Sequence, residues 1–262
     1  MMNRERLGQG YTADIYPWEE YRIIKLFHMG ISVSSINREF SISKVVEKLG
    51  LNVPKVFERR QYRGREGIIY ERINGPTMTQ AISQDPGNIK KFACKLAALH
   101  NAIHRKKGMG LPEQKDILSK RIHHTDLLMA NTKKFILRHL ELLPEGSQVC
   151  HGDFHTNNII ISSQGAVIID WMDGTCGHPL ADVARTVLIY RFASISNCVV
   201  KSLRDSIIQE YLNAYIQLSN CSLQQINTWE LPVAAARLTE NIPTEEKERL
   251  LFRIEQLIKE DR

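Results

Sequence analysis

Residues 151–170 constrain this 262-residue chain more tightly than any other stretch. His151-Gly152-Asp153-Phe154-His155-Thr156-Asn157-Asn158 reads as a short polar loop. Two strand-like runs follow, Ile159-Ile160-Ile161 and Ala166-Val167-Ile168-Ile169, separated by the turn signal Ser162-Ser163-Gln164-Gly165. Asp170 and Trp171 close the pattern. It sets an aspartate and an asparagine five residues apart in one loop, then a further carboxylate at the end of an apolar run.

On either side of this stretch the chain divides by character. Residues 4–28 alternate short apolar runs with turn residues, and Arg22–Phe27 reads as a strand. Residues 33–49 read as a helix. At 100° per residue, Ile36, Phe40, Ile42, Val46 and Leu49 share one broad sector, and Gly50 ends it. Val53-Pro54 leads into a second strand pair, about 55–61 and 66–73, turned at Arg63-Gly64. After Asn74-Gly75-Pro76 the chain reads as helical apart from the interruption at 149–170. The expected organisation is a small sheet-rich lobe over residues 1–73, a hinge near 71–76, and a large mainly helical lobe over 74–262 that carries the loop at 151–158.

The three groups in the central pattern match what phosphoryl transfer from ATP needs. One carboxylate orients the acceptor hydroxyl and takes its proton, and an amide oxygen and a second carboxylate hold Mg²⁺ against the phosphates. Asp153 is the candidate base, and Asn158 and Asp170 are the candidate metal ligands. The N-terminal run Leu7-Gly8-Gln9-Gly10-Tyr11 offers Gly8 and Gly10 in a turn where backbone amides can approach phosphates. Alone, such a turn is also an ordinary hairpin, and Ala13 stands where a third glycine would complete a kinase loop. Lys25, in the next strand, would reach the phosphates and needs a carboxylate partner. Glu39 falls inside the apolar sector of the 33–49 helix, where a lone charge is costly, so a buried pair with Lys25 is expected. Glu47, at the edge of that sector, is the weaker partner.

Other residues receive supporting roles. The backbone of Tyr70-Glu71-Arg72-Ile73 could meet adenine, with Glu71 and Ile73 as the contact positions. His151 is expected to brace its loop through backbone hydrogen bonds. His155 either meets phosphate or acceptor or is a plain polar loop residue. Trp171 is expected to pack beside the metal ligands, Asp173 to form a turn, and Asp182 to cap a helix or brace the loop by accepting amides. There is no G-x-S-x-G or H-E-x-x-H, and no C-x-x-C pair. His151 and His155 are four apart, but the loop is not clearly helical and residue 152 is not glutamate, so no zinc site is expected.

His151-Gly152-Asp153 through Asn158, with Ile169-Asp170-Trp171, closely resembles the aminoglycoside phosphotransferase and choline kinase family of protein-kinase-like enzymes. The resemblance covers about residues 5–240 and takes in Gly8, Gly10, Lys25, Glu39, Val53-Pro54, Leu99-His100-Asn101 and Asp182. It implies an α+β, bilobal protein-kinase-like fold with a small antiparallel-sheet N-lobe and a large mainly helical C-lobe. It also implies ATP and one or two Mg²⁺ as cofactors, and transfer of the γ-phosphate to a hydroxyl of a small molecule. Carried over residue by residue, Asp153 is the base, Asn158 and Asp170 hold metal, and Lys25 contacts phosphate. The acceptor would be an aminoglycoside-like antibiotic or an amino-alcohol or sugar metabolite, held by helices near 115–143 and 222–260. Trp229, Arg237 and Glu240 could share a helix face there, with core packing for Trp229 and solvated charge for the other two as the plainer assignment.

Composition bounds the remaining classes. With 43% hydrophobic residues the chain can bury a core. A net charge of +6 without a Lys/Arg block interleaved with aromatics gives no nucleic-acid surface. No apolar run reaches about 18 residues, so no membrane span is expected, and the first residues lack a signal-peptide core. The cysteines Cys94, Cys150, Cys176, Cys198 and Cys221 are odd in number and are expected to be reduced and mostly buried in a cytoplasmic protein. A monomer or weak homodimer is expected. Two rival readings remain: a non-catalytic nucleotide-binding sensor of the same fold, and a protein kinase. The latter is disfavoured by the short path from Asp170 to Asp182 and by the lack of Ala-Pro-Glu.

Overall fold

A five-stranded antiparallel sheet forms first in the chain, in the order β1-β2-β3-β5-β4. Its strands are β1 (Gly8–Gln9), β2 (Ala13–Glu19), β3 (Arg22–Phe27), β4 (Val56–Tyr62) and β5 (Arg65–Glu71), with helix α1 (Val33–Glu47) between β3 and β4. The computed structural model describes residues 5–194 and 197–260. The first four residues, included in the expectation that no signal-peptide core is present, lie outside that range.

Strand periodicity explains how the sheet is covered. Side chains on β3 alternate between faces. Ile24 and Leu26 join Ile69 in one cluster, bordered by Tyr16, Trp18, Phe57 and Tyr62. Phe27 joins Ala13, Ile36, Val56 and Ile68 in the other, which α1 covers. Lys25 therefore shares the α1 face. The β4–β5 turn sits at Arg63 (φ 51°) and Gly64 (φ 71°), both left-handed as a tight two-residue hairpin demands. Ser32 caps α1 by accepting the Ser35 amide at 3.1 Å.

The remaining elements are α2 (Met78–Gln84), α3 (Ile89–His104), α4 (Gln114–His124), α5 (Ala130–Leu142), β6 (Gln148–Cys150), β7 (Ile159–Ser162), β8 (Gly165–Ile168), β9 (Thr175–Gly177), α6 (Pro179–Phe192), α7 (Cys198–Ser202), α8 (Arg204–Ser219), α9 (Leu223–Asn227), α10 (Glu230–Arg237) and α11 (Thr244–Glu260). No helix among the described residues is long and apolar enough to cross a membrane.

Contacts group these elements into two compact units. One takes in residues up to Thr77 together with Asn158–Asp173, and the other Met78–Asn157 with the chain from Gly174 onward. A single boundary at residues 73/74 does not describe this grouping. The β7–β8 hairpin joins the sheet unit because its backbone is tied there. The Ile161 amide donates to the Pro76 carbonyl at 2.8 Å, the Ile168 amide to the Asn52 carbonyl at 2.9 Å, and Asn52 Nδ2 to the Ala166 carbonyl at 2.8 Å. Gly75, at φ 149°, allows the Pro76 approach: a Cβ there would lie 2.2 Å from the Ile161 oxygen.

In the helical unit α6 is the central element. Every residue from Leu180 to Tyr190 is buried, which marks a helix enclosed on all sides. His178 caps it through Nδ1, which accepts the Leu180 amide, and Pro179 starts the first turn. The short pair β6–β9 aligns Val149 with Cys176. Three-residue strands carry too little alternation to be read from sequence, and neither β6 nor β9 was expected.

Candidate active site

Within the sheet unit the functional groups converge on Lys25. Its Nζ lies 2.7 Å from Glu39 Oε1 and 2.9 Å from Asp170 Oδ1. Glu39, a buried residue of α1, accepts a second hydrogen bond from the Tyr70 hydroxyl at 3.2 Å, which in turn meets Ser43 at 3.1 Å. The expected Lys25–Glu39 pair is thus present. Glu47 instead accepts the Val56 amide and faces Lys44. Burial would drive proton loss from Lys25, but the carboxylates of Asp170 and Glu39 override it and hold the ammonium above its ordinary range. Burial pushes the Glu39 carboxyl upward, with Lys25 pulling against it.

Asp170 follows β8 with φ 62°, a left-handed conformation that costs energy for a residue other than glycine. Its side chain keeps 40% of its surface exposed while touching Lys25. The Ile169 amide donates to the Asn158 carbonyl at 2.9 Å, which ties the two proposed metal-ligand positions through the hairpin backbone. Trp171 is buried, and its Nε1 donates to the Ile168 carbonyl at 3.2 Å. Asp173 lies in a turn.

The glycine turn closes with the Gly10 amide donating to the Ala13 carbonyl at 2.8 Å, and Gly8 pairs with Ile15. Neither glycine has a left-handed φ. The Glu71 amide is spent on the Lys55 carbonyl and the Arg72 amide on the Tyr21 carbonyl, each at 2.9 Å.

In the helical unit, the loop that begins at His151 runs along one face of α6. Asp182 accepts the amides of His151 and Gly152, the latter at 2.8 Å. Arg185 Nε donates to the Gly152 carbonyl. The Thr186 hydroxyl donates to the Phe154 carbonyl at 3.0 Å, and the Thr156 amide donates to the Tyr190 hydroxyl at 3.0 Å. Positions 182, 185, 186 and 190 recur at helical spacing, so loop and helix advance together. The loop also braces itself: His151 Nδ1 accepts the Asp153 amide at 3.2 Å. His155 places Nε2 3.3 Å from Asp153 Oδ2, while its Nδ1 accepts the Asn157 amide. Burial would raise the Asp153 carboxyl, but His155, Arg185 and His151 together hold it well below the usual carboxylate range.

Behind the loop, Asp182 also takes His100 Nε2 at 3.0 Å and His104 Nε2 at 3.2 Å. The far nitrogen of each ring meets a tyrosine hydroxyl, Tyr211 at 2.7 Å and Tyr215 at 2.6 Å. Burial lowers His100 to about 3, helped by His104 and opposed by Asp182, so its imidazole is neutral. The same two histidines keep Asp182 ionised, well below the usual range, against the effect of burial. The His/His/Asp trio could hold a metal by composition, yet its inward atoms already form a closed hydrogen-bond set.

Trp229 packs in the core, as the plainer assignment has it, stacked on His178 at 5.2 Å. Other expectations need correction. Arg237 and Glu240 are not solvated charges. Arg237 is buried and paired with Glu246, and Glu240 collects Arg121, Arg185 and Arg237. Of the cysteines, Cys150 and Cys176 are buried, Cys94 and Cys221 half-buried and Cys198 exposed, so burial is less general than expected. Burial pushes the Cys150 thiol well up, which suits packing and not nucleophilicity. Sequence reasoning missed Arg185, Thr186 and Tyr190. Their signal was present as polar groups at helical spacing from Asp182 inside an otherwise apolar run.

The model of a phosphotransferase enzyme family matches residues 5–220. Acyl-CoA dehydrogenase family member 10 of Mus musculus is 26% identical over 234 residues, which is 78% of this chain and 22% of that protein. Acyl-CoA dehydrogenase family member 11 of Gallus gallus is 26% identical over 178 residues, 59% of this chain and 23% of that protein. The chain therefore spans about a fifth of the length of these curated relatives. Among solved structures, a thermostable mutant of the aminoglycoside phosphotransferase APH(4)-Ia, in a ternary complex with ADP and hygromycin B, superposes with a TM-score of 0.70 at 13% identity, covering 98% of this chain and 93% of that one. Choline kinase from Cryptosporidium parvum gives 0.60 at 15% identity, covering 98% and 89%. At these identities the likeness is one of fold: α+β and kinase-like, with one antiparallel-sheet unit and one larger helical unit.

Proposed function

Because the chain belongs to the phosphotransferase enzyme family, we propose that it moves the γ-phosphoryl group of ATP, with Mg²⁺, onto a hydroxyl of a small molecule. The observation that carries this reading is Lys25, a largely enclosed ammonium held between the buried Glu39 and the half-exposed Asp170. A lysine fixed in its charged state beside an accessible carboxylate suits a polyphosphate with its divalent cation.

Asn158 and Asp170 offer an amide oxygen and a carboxylate, hard oxygen donors of the kind Mg²⁺ prefers. When bound, Mg²⁺ would neutralise charge building on the phosphate oxygens. Lys25 contacts the phosphates, and Glu39 keeps its ammonium aimed. Amides near Gly8 and Gly10 cover the phosphates. With the amides of Glu71 and Arg72 engaged elsewhere, adenine falls to the Glu71 carbonyl and the Ile73 amide. Asp153 accepts the acceptor's hydroxyl proton on a carboxylate oxygen. The freed oxygen forms the new bond to phosphorus as the bond to the ADP oxygen breaks. Holding Asp153 ionised keeps it ready for that proton.

The acceptor class is an aminoglycoside-like antibiotic or an amino-alcohol or sugar metabolite, in line with the hygromycin B complex and the choline kinase that share the fold. We place the enzyme in the cytoplasm, where its five unbridged cysteines would stay reduced. The test is ADP release from Mg-ATP against a panel of aminoglycosides, macrolides, choline, ethanolamine, homoserine, thiamine and methylthioribose. Acceptor-dependent release, lost in Asp153→Ala, is expected. Release that survives Asp153→Ala would remove Asp153 from its role, and ATP binding with no release across all acceptors would favour a sensor.

A further inference from the structure

We infer that Glu240, in the turn between α10 and α11, is a positioning residue that holds the Asp153 loop in place through Arg185. This rests on the reading of Asp153 as the base. Glu240 also lies beyond residue 220, where the match to the family model ends.

The geometry runs as a chain of contacts within the helical unit. Arg185 uses two edges of one planar guanidinium. Nε donates to the Gly152 carbonyl, one residue before Asp153, and Nη1 reaches Glu240 Oε1 at 2.5 Å. Two anchors in one plane leave a guanidinium a single orientation, a constraint that lysine could not supply. Only 11% of the Arg185 side chain is exposed, so its charge requires an enclosed counter-charge.

Glu240 is itself fixed from two further directions. Arg121 on α4 meets Oε1 at 3.1 Å, and Arg237 on α10 meets Oε2 at 3.2 Å. Arg237 is in turn held by Glu246 on α11. One carboxylate thus joins α4, α6, α10 and α11 to the carbonyl that precedes the base. Its loss would do two things: release the outer anchor of Arg185, and leave three guanidinium groups facing one another. A released Arg185 no longer fixes the Gly152–Asp153 peptide plane, and the base inherits the error.

The test uses the full chain without ligand, followed by hydrogen exchange of the peptides covering residues 151–157. Glu240→Gln keeps the shape and removes the charge. Arg185→Gln removes the link itself, and Arg121→Gln takes one arginine from Glu240 while Arg185 keeps its anchors on Glu240 and the Gly152 carbonyl. Glu240→Gln and Arg185→Gln should each speed exchange in the loop while α3 and α8 keep their wild-type rates. The double variant should be no faster than Arg185→Gln alone, because Glu240 acts through Arg185. Arg121→Gln should leave the loop unchanged. In ADP release, Glu240→Gln should lower kcat by about tenfold or more and leave KM for Mg-ATP within about twofold.

Wild-type loop exchange in Glu240→Gln, or faster exchange throughout the unit, would overturn the assignment in favour of simple helix tethering. If Glu240→Gln does not fold, Glu240→Asp, which retracts the carboxylate by one methylene, is read in the same way. The exchange result needs no turnover. If Asp153→Ala proves active, the base assignment falls while the coupling of Glu240 to the loop is still decided.

Discussion

Asp182→Asn is the substitution that most directly tests how the loop is held. The side chains are nearly isosteric, so no cavity opens, and the effect is confined to charge and hydrogen bonding. Asp182 accepts four donors: the amides of His151 and Gly152, and the rings of His100 and His104. An asparagine oxygen can replace one carboxylate oxygen only. Tautomer exchange in the two histidines would let the new NH₂ donate to both rings, but at least one loop amide would then face a donor. Leaving one buried N–H unpaired costs about 1–3 kcal/mol, and converting the other charge-assisted bonds to neutral ones removes on the order of 1 kcal/mol each. The expected loss is about 4–6 kcal/mol, at or just above the cost of breaking a buried charge pair. For a chain of this size that lowers Tm by roughly 10 °C. Thermal unfolding followed by circular dichroism measures it.

The pH dependence supplies a second reading with a definite sign. Asp182 is depressed in the folded state, so its contribution is complete above the unfolded carboxyl value near 3.9 and is lost as pH falls below it. The Asn variant lacks that component. The gap in Tm between wild type and variant should therefore be widest at neutral pH and narrow between about pH 5 and pH 3. A variant melting within about 2 °C of wild type at pH 7, with loop-dependent activity intact, would refute the brace.

Two further outcomes follow from the same contacts. Lys25→Met should abolish ADP formation and, by stranding Glu39 in an enclosed site, cost about 3–5 kcal/mol in urea unfolding. Adding Glu39→Leu should restore most of the stability and none of the activity, whereas recovery of both would show that the pair is not functional. The Asp153 carboxyl is depressed by His155 and Arg185 against burial, so it stays competent as a base below its ordinary value near 3.9. Replacing His155 with Ala should raise that carboxyl and move the acid limb of the pH–rate profile to higher pH. An acid limb that His155→Ala leaves in place would assign it to another group.

Much of this is legible in the sequence itself. The β3 strand, α1 and the β4–β5 hairpin follow from periodicity and from Arg63-Gly64, and Glu39 announced itself as a charge on an apolar sector. Bracing by His151 and Asp182 was also within reach, because short polar residues beside a tight loop have few other uses. What escaped depends on long-range contact. The sequence around 158–173 looks like part of the helical half, and its long-range bonds to Asn52, Pro76 and Lys25 assign it to the sheet unit. Glu240 and Arg237 looked solvated because helical spacing gives the face of a residue and not what packs on it. Arg185 was hidden for the opposite reason, as one polar residue in a run too apolar to suggest a partner.

The grip of α6 on the loop has a consequence for how this chain can change. From Asp182 to Tyr190 the contacts climb about 12 Å at 1.5 Å per residue, and successive loop residues meet successive turns. The helix therefore acts as a ruler, and its length between those two positions is a harder constraint than the identity of the apolar residues between them. Substituting Val183 or Val187 disturbs packing locally. Inserting or deleting a single residue there turns every later contact by about 100° and presents the loop with apolar side chains where it needs a hydroxyl or a guanidinium. Variation in such a chain should accumulate as exchanges within α6 and as length changes at its ends.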